Sequence, residues 1–145
     1  MRSSADRVSA DFWGASVNEF QKNEDLIERF APGSTEWGQK NFRPVFPDLA
    51  EKIIGDIYGF AYRRPGLDLK TRHLASLAAI TAMGGCENQL NFQLRAALNL
   101  GIAPEEVREM FIQVAVFAGN ARAINGAIVF KAILDERAAV KPEQE

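Results

Sequence analysis

The sequence predicts an all-α protein, and three observations carry that prediction. Apolar residues recur at helical spacing through most of the chain. No segment alternates with strand period over a useful length, IQVAVF being a short β-prone run. Glycine and proline stand at the boundaries between the periodic segments.

The elements follow in order. VNEFQKNEDLIERF predicts an amphipathic helix with Phe20, Leu26, Ile27 and Phe30 on its apolar side, broken by APGS. PDLAEKIIGDIYGFAY restarts a helix, since Pro47 and Asp48 are both tolerated in a first turn. Its apolar positions are Leu49, Ile53, Ile54 and Ile57, and Pro65 in RRPG ends it. LDLKTRHLASLAAITAM is helical up to Gly84 and Gly85. CENQLNFQLRAALNL runs to Gly101, a good C-terminal cap residue. APEEVREMFIQVAVFAG begins with Pro104 and two glutamates, which suit a helix start, and ends near Gly119. NARAINGAIVFKAILDERAAV opens with Asn120 in the place of an N-cap, and a charged tail follows. Aromatic residues crowd the chain before Pro65, and Ala, Leu and Ile dominate after Leu67. With no repeat or low-complexity linker, one domain is expected.

Composition narrows the function classes. The chain has 145 residues, 47% of them apolar and 25% charged, which is ordinary for a globular protein with a real core. A net charge of -2 gives no reason to expect nucleic acid or an acidic membrane surface as partner. One cysteine forms no intramolecular disulfide, and one histidine with one cysteine makes a transition-metal site within the chain unexpected. The start has no signal-peptide run, and no stretch approaches the roughly 20 apolar residues that span a bilayer. A cytoplasmic protein is expected.

The chemistry concentrates between Cys86 and Gly101. On a helix, Cys86, Gln89 and Gln93 fall within an arc of about 60°, beside the apolar stripe of Leu90, Leu94 and Ala97. Two readings are open: the glutamines edge a pocket, or they are boundary residues bonded to backbone or to a neighbouring subunit. His73 lies on an apolar stripe with Leu69, Leu77 and Ile80, as a satisfied interior residue would. It is also the one side chain with an ordinary pKa near neutrality, where proton transfer would be sought first. Cys86 follows two glycines at a helix start, a place that favours a thiolate, although a small buried cysteine fits as well. Arg63, Arg64 and Arg72 offer charge-assisted pairing to a carboxylate, or are simply solvated.

RRPGLDLKTRHLASLAAITAMGG, followed by QLNFQLRAALNLGIAPEEVREMFIQVAVFAGNARAINGAIVFKAIL, resembles the carboxymuconolactone decarboxylase family. RPGLDLKTR, LRAALNLGI and EEVREMFIQVAVFAG are its most specific parts, and the likeness covers residues 35–138. That resemblance implies an alkylhydroperoxidase D-like helical domain over 35–138, with residues 1–34 as a packed aromatic-rich extension and 139–145 as a tail. It also implies trimers or hexamers with pockets near subunit contacts.

The chain departs from the family at its chemical positions. The hydroperoxidase branch carries C-x-x-C-x-x-x-H on this helix, where Cys86 matches but Gln89 and Gln93 replace the second cysteine and the histidine. A dithiol cycle then cannot close within the chain. The decarboxylase branch carries E-L-x-x-H, read here as Gln89, Leu90, Asn91, Phe92 and Gln93. Phe60 stands where a glutamate is frequent, and His73 where a serine or a proton-relaying glutamate is found. The expectation is a cofactor-independent lyase or isomerase of a small unsaturated lactone or conjugated acid. His73, Gln89 and Gln93 are its candidate catalytic residues; Phe60, Tyr62, Arg64 and Cys86 are its candidate substrate contacts. The alternatives are a non-catalytic ligand-binding or structural member, and thiol redox through Cys86.

Overall fold

The computed structural model describes residues 17–140, and among them every regular element is helical. Phe12, Trp13 and the last five residues of the charged tail lie outside the described residues. The α-helices are α1 (Glu19–Lys22), α2 (Glu24–Phe30), α3 (Ser34–Trp37), α4 (Pro47–Ile54), α5 (Leu69–Met83), α6 (Glu87–Asn99), α7 (Pro104–Ala118) and α8 (Asn120–Val140), with a π-helical stretch over Gly38–Phe42 between α3 and α4. None of these helices is long and apolar enough to cross a membrane.

α5 to α8 form a bundle around Leu77, Leu90, Leu94, Val107, Phe111, Phe130 and Ile133. A second apolar cluster joins Phe20, Leu26, Ile27, Phe30, Ile54 and Tyr58 to Ala96 and Leu100. Both clusters use α6, through different faces. Leu90, Leu94 and Ala97 face the bundle, while Ala96 and Leu100 face the aromatic N-terminal helices. α6 is therefore a shared wall.

Three boundaries differ from the sequence expectation. The first amphipathic segment is two helices rather than one. Asn23 turns its side-chain amide onto the Glu19 carbonyl at 2.9 Å, and such local bonds compete with helical ones. The segment after Pro47 is α-helical only to Ile54; it widens into a π-helix over Gly55–Phe60 and tightens into a 3-10 turn over Ala61–Arg63. Glycine lets this stretch sit close to α1, since a Cβ on Gly59 would stand 3.2 Å from Glu19 Oε2. Leu49 is exposed, and Ala50 takes the buried place in its stead. Asn120 is the first helical residue of α8 rather than its cap.

Large apolar side chains remain outside both clusters. Ile112, Val116 and Phe117 on α7, with Ile124 and Ile128 on α8, are all more than half exposed.

Candidate functional site

His73 is the centre of a buried hydrogen-bonded set. α5 carries His73 and Ser76 three residues apart, hence on one face. His73 has no exposed surface. Its Nε2 lies 2.8 Å from the Gln93 backbone carbonyl, which can only accept, so the ring hydrogen sits on Nε2. Nδ1 of the neutral ring is then a bare acceptor, and it meets the Tyr62 hydroxyl at 2.9 Å. The same phenol oxygen lies 2.9 Å from Ser76 Oγ, whose single hydrogen is donated either to that oxygen or to the Arg72 carbonyl 3.1 Å away.

Burial sets the charge states. It pushes His73 below its ordinary value near 6.5, with the bond to the Gln93 carbonyl pulling part of the way back. The imidazole is therefore neutral at pH 7. Burial raises the Tyr62 phenol above 10, partly offset by the Ser76 bond and the Arg72 charge, so that phenol keeps its proton.

The N-terminal helices hold this set in place. The Phe30 ring meets Tyr58, Tyr62 and His73 edge-on, at centroid distances of 5.1, 4.8 and 5.2 Å. Asn99 of α6 donates to the Phe30 carbonyl at 2.8 Å, tying the end of α2 to the shared wall. Arg63 grips Asp25 through two bonds of 2.7 and 3.0 Å and holds that carboxyl down to about 2. The turn bearing Tyr62 is thereby anchored to α2.

A hollow of about 290 Å³ opens beside this set, lined by Ile57, Tyr62, Ser76, Ala79, Ile80 and Gln93. Gln93 Oε1 is buried with no hydrogen-bond partner among the described residues. Turning the carboxamide over exchanges its oxygen and nitrogen, so this group can offer a ligand either an acceptor or a donor.

The candidate residues from the sequence divide among several places. His73, Tyr62 and Gln93 come together. Gln89 instead lines a second hollow of about 380 Å³, walled largely by Phe20, Trp37, Phe42, Ile54 and Phe92. Cys86 precedes α6 with non-helical angles of φ -133° and ψ 46°, so the helical arc drawn from Cys86 to Gln93 does not hold. Its thiol points to the carbonyls of Ile80 and Gly84, beside a crevice of about 10 Å³. Phe60 and Arg64 pair with each other, the guanidinium 5.2 Å above the ring, outside the lining of the Tyr62 hollow. Ser76 escaped the sequence reading. Its three-residue spacing from His73 was the available signal, whereas nothing in sequence spacing brings Tyr62 to His73 across the RRPG turn.

Comparison with known proteins follows the same stretch. The profile of the carboxymuconolactone decarboxylase family matches residues 48–132. A 4-carboxymuconolactone decarboxylase of Acinetobacter baylyi is 31% identical over 80 residues, covering 55% of this chain and 59% of that protein. A nitrosuccinic acid decarboxylase of Metarhizium robertsii is 32% identical over 97 residues, 67% of each chain. An uncharacterized 15.0 kDa protein of Paracoccus denitrificans is 29% identical over 100 residues, 68% of this chain and 75% of its own.

Proposed function

Because the chain belongs to the carboxymuconolactone decarboxylase family, we propose that it is a cofactor-independent, decarboxylase-type lyase. Its proposed substrate is a small unsaturated lactone or conjugated acid bearing a carboxylate. The observation that carries this reading is the Tyr62–Gln93 hollow with a neutral imidazole behind it.

In the proposed reaction the bond to the carboxylate breaks and CO2 leaves. The electron pair enters the conjugated system and comes to rest on the carbonyl oxygen as a dienolate, which then takes one proton at carbon. The site must supply hydrogen-bond donors where that oxyanion forms. The Gln93 amide is that donor in this reading, because the one Tyr62 hydrogen is held by His73 Nδ1. Arg64 lies outside the hollow's lining, so its proposed carboxylate contact is made only by a ligand that projects from the hollow to the Phe60–Arg64 pair. His73 acts only through Tyr62, since both ring nitrogens are engaged. Gln89 lines the other, apolar hollow, so in this reading its proposed role is confined to a ligand bound there. The N-terminal extension supplies Phe30 and so belongs to the site.

The test is CO2 release from carboxylated butenolides by the purified protein. Gln93→Leu should lower the rate about 10²-fold, the usual loss for one oxyanion donor. An unchanged rate in that variant, or no turnover across the panel, would remove the reading.

One observation favours a second reading, a ligand-binding member without chemistry. The hollow of about 380 Å³ is almost wholly apolar, as small-molecule sites usually are. A compound that raises the melting temperature and is recovered unaltered would support it. Self-association as a trimer or hexamer is proposed through the exposed apolar residues of α7 and α8, in the cytoplasm.

A further inference from the structure

We propose that Tyr62 is the group that exchanges a proton with the ligand and that His73 is its acceptor. The hollow then catalyses allylic hydrogen transfer on unsaturated lactones without loss of CO2. This rests on the reading of the Tyr62–Gln93 hollow as the reaction site, but not on decarboxylation itself.

Three observations converge on it. First, His73 is fully buried, with Nε2 bonded to the Gln93 carbonyl and Nδ1 to the Tyr62 hydroxyl, so no ligand touches the ring. Second, Tyr62 lines the hollow and, among the described residues, is the single link between that space and Nδ1. Third, the resting set is arranged to take a proton away. The neutral ring presents a lone pair to the phenol hydrogen, which a proton donor would not. Ser76 lies 2.9 Å from the phenol oxygen and fixes its place between ligand and ring.

The transfer balances within the site. A ligand C–H proton passes to the Tyr62 oxygen as the Tyr62 hydrogen passes to His73 Nδ1. The C–H electron pair becomes a dienolate, the phenol is protonated before and after, and the charge rests on an imidazolium steadied by the Gln93 carbonyl. Exchange of the Tyr62 hydrogen with solvent, followed by reversal at the other end of the allylic system, delivers a solvent-derived proton to carbon and moves the double bond. No oxidant, reductant or further reactant enters. Gln93 serves both ends, its backbone holding the imidazole and its side chain facing the ligand, so the relay survives Gln93→Leu while oxyanion support does not.

Burial and the Gln93 carbonyl of α6 set the titration of His73. Around it lie the Tyr62 phenol, on which the Arg72 charge of α5 acts, and the uncharged Phe30 ring of α2, which also meets Tyr58.

The experiment uses γ-methyl β,γ-butenolide in D2O, followed by proton NMR. The wild type should move the double bond into conjugation with deuterium at the γ carbon. Tyr62→Phe should lower that rate at least about 10²-fold, the lower end of general acid–base contributions. Because the chain has one histidine, 15N-histidine labelling gives one imidazole as a fold and relay reporter. In wild type it should show a bare Nδ1 and a protonated Nε2. In a folded Tyr62→Phe variant the Nδ1 signal should shift while Nε2 stays bonded. If that variant does not fold, the wild-type pH profile decides, because exchange should fall on acidification in step with the imidazole titration. Exchange indifferent to that titration, or undiminished in folded Tyr62→Phe, overturns the proposal. Decarboxylation without exchange overturns it and spares the lyase reading; exchange without decarboxylation does the reverse.

Discussion

At the residue scale, His73 couples stability to pH. Its folded pKa lies below the ordinary value near 6.5, because burial disfavours the cation. Below 6.5 the unfolded chain binds the proton more readily than the folded one, so stability is lost as pH falls. Urea unfolding should give a steady midpoint above pH 6.5 and a decline through the window beneath it, with a His73→Gln variant losing that part of the decline. Phe30 is the other single residue on which much depends. It is fully buried and its ring supports Tyr58, Tyr62 and His73. Phe30→Ala should cost about 3–5 kcal/mol by denaturant titration, as large-to-small core changes do.

Elements place those residues, and two glycines decide how. α6 ends where Ile102 N–H bonds the Ala97 carbonyl at 3.0 Å and Gly101 N–H bonds that of Leu98 at 3.1 Å. Gly101 sits at φ 82°, a conformation costly for a side chain. A Cβ there would meet only the Lys70 side chain at ordinary contact, so backbone strain alone should set the loss. Gly101→Ala should cost about 1–2 kcal/mol, read as a lowered melting temperature. Gly126, in mid-helix, is opposite in cause. Its added Cβ would stand 2.6 Å from Phe111 Cε1 and 2.9 Å from Thr81 Cγ2, where α8 presses on α7 and α5. Alanine normally favours a helix, yet here overpacking should win by about 1–3 kcal/mol.

For the molecule as a whole, the apolar face of α7 and α8 matters most. Phe117 is 81% and Val116 72% exposed, which is hard to reconcile with a lone chain in water. Sedimentation should give a mass that is a multiple of 16.0 kDa, and Phe117→Asp should shift it toward one chain. A wild-type mass of one chain would end that proposal.

Helical periodicity, proline starts and glycine stops were enough to determine the all-α class. They also fixed the buried stripe of α6 and the His73–Leu77 part of that of α5, where Leu69 and Ile80 are only half-buried, because those signals act between residues a few positions apart. They placed His73 in the interior and Gln93 at the edge of a packed face. The tertiary structure alone decided that Tyr62 lies against His73, that Gln89 and Gln93 open onto different hollows, and that Cys86 turns away from both. Those outcomes depend on a π-helical stretch, a chain reversal and one off-helix residue. Each is a choice made by packing between segments that local spacing does not encode.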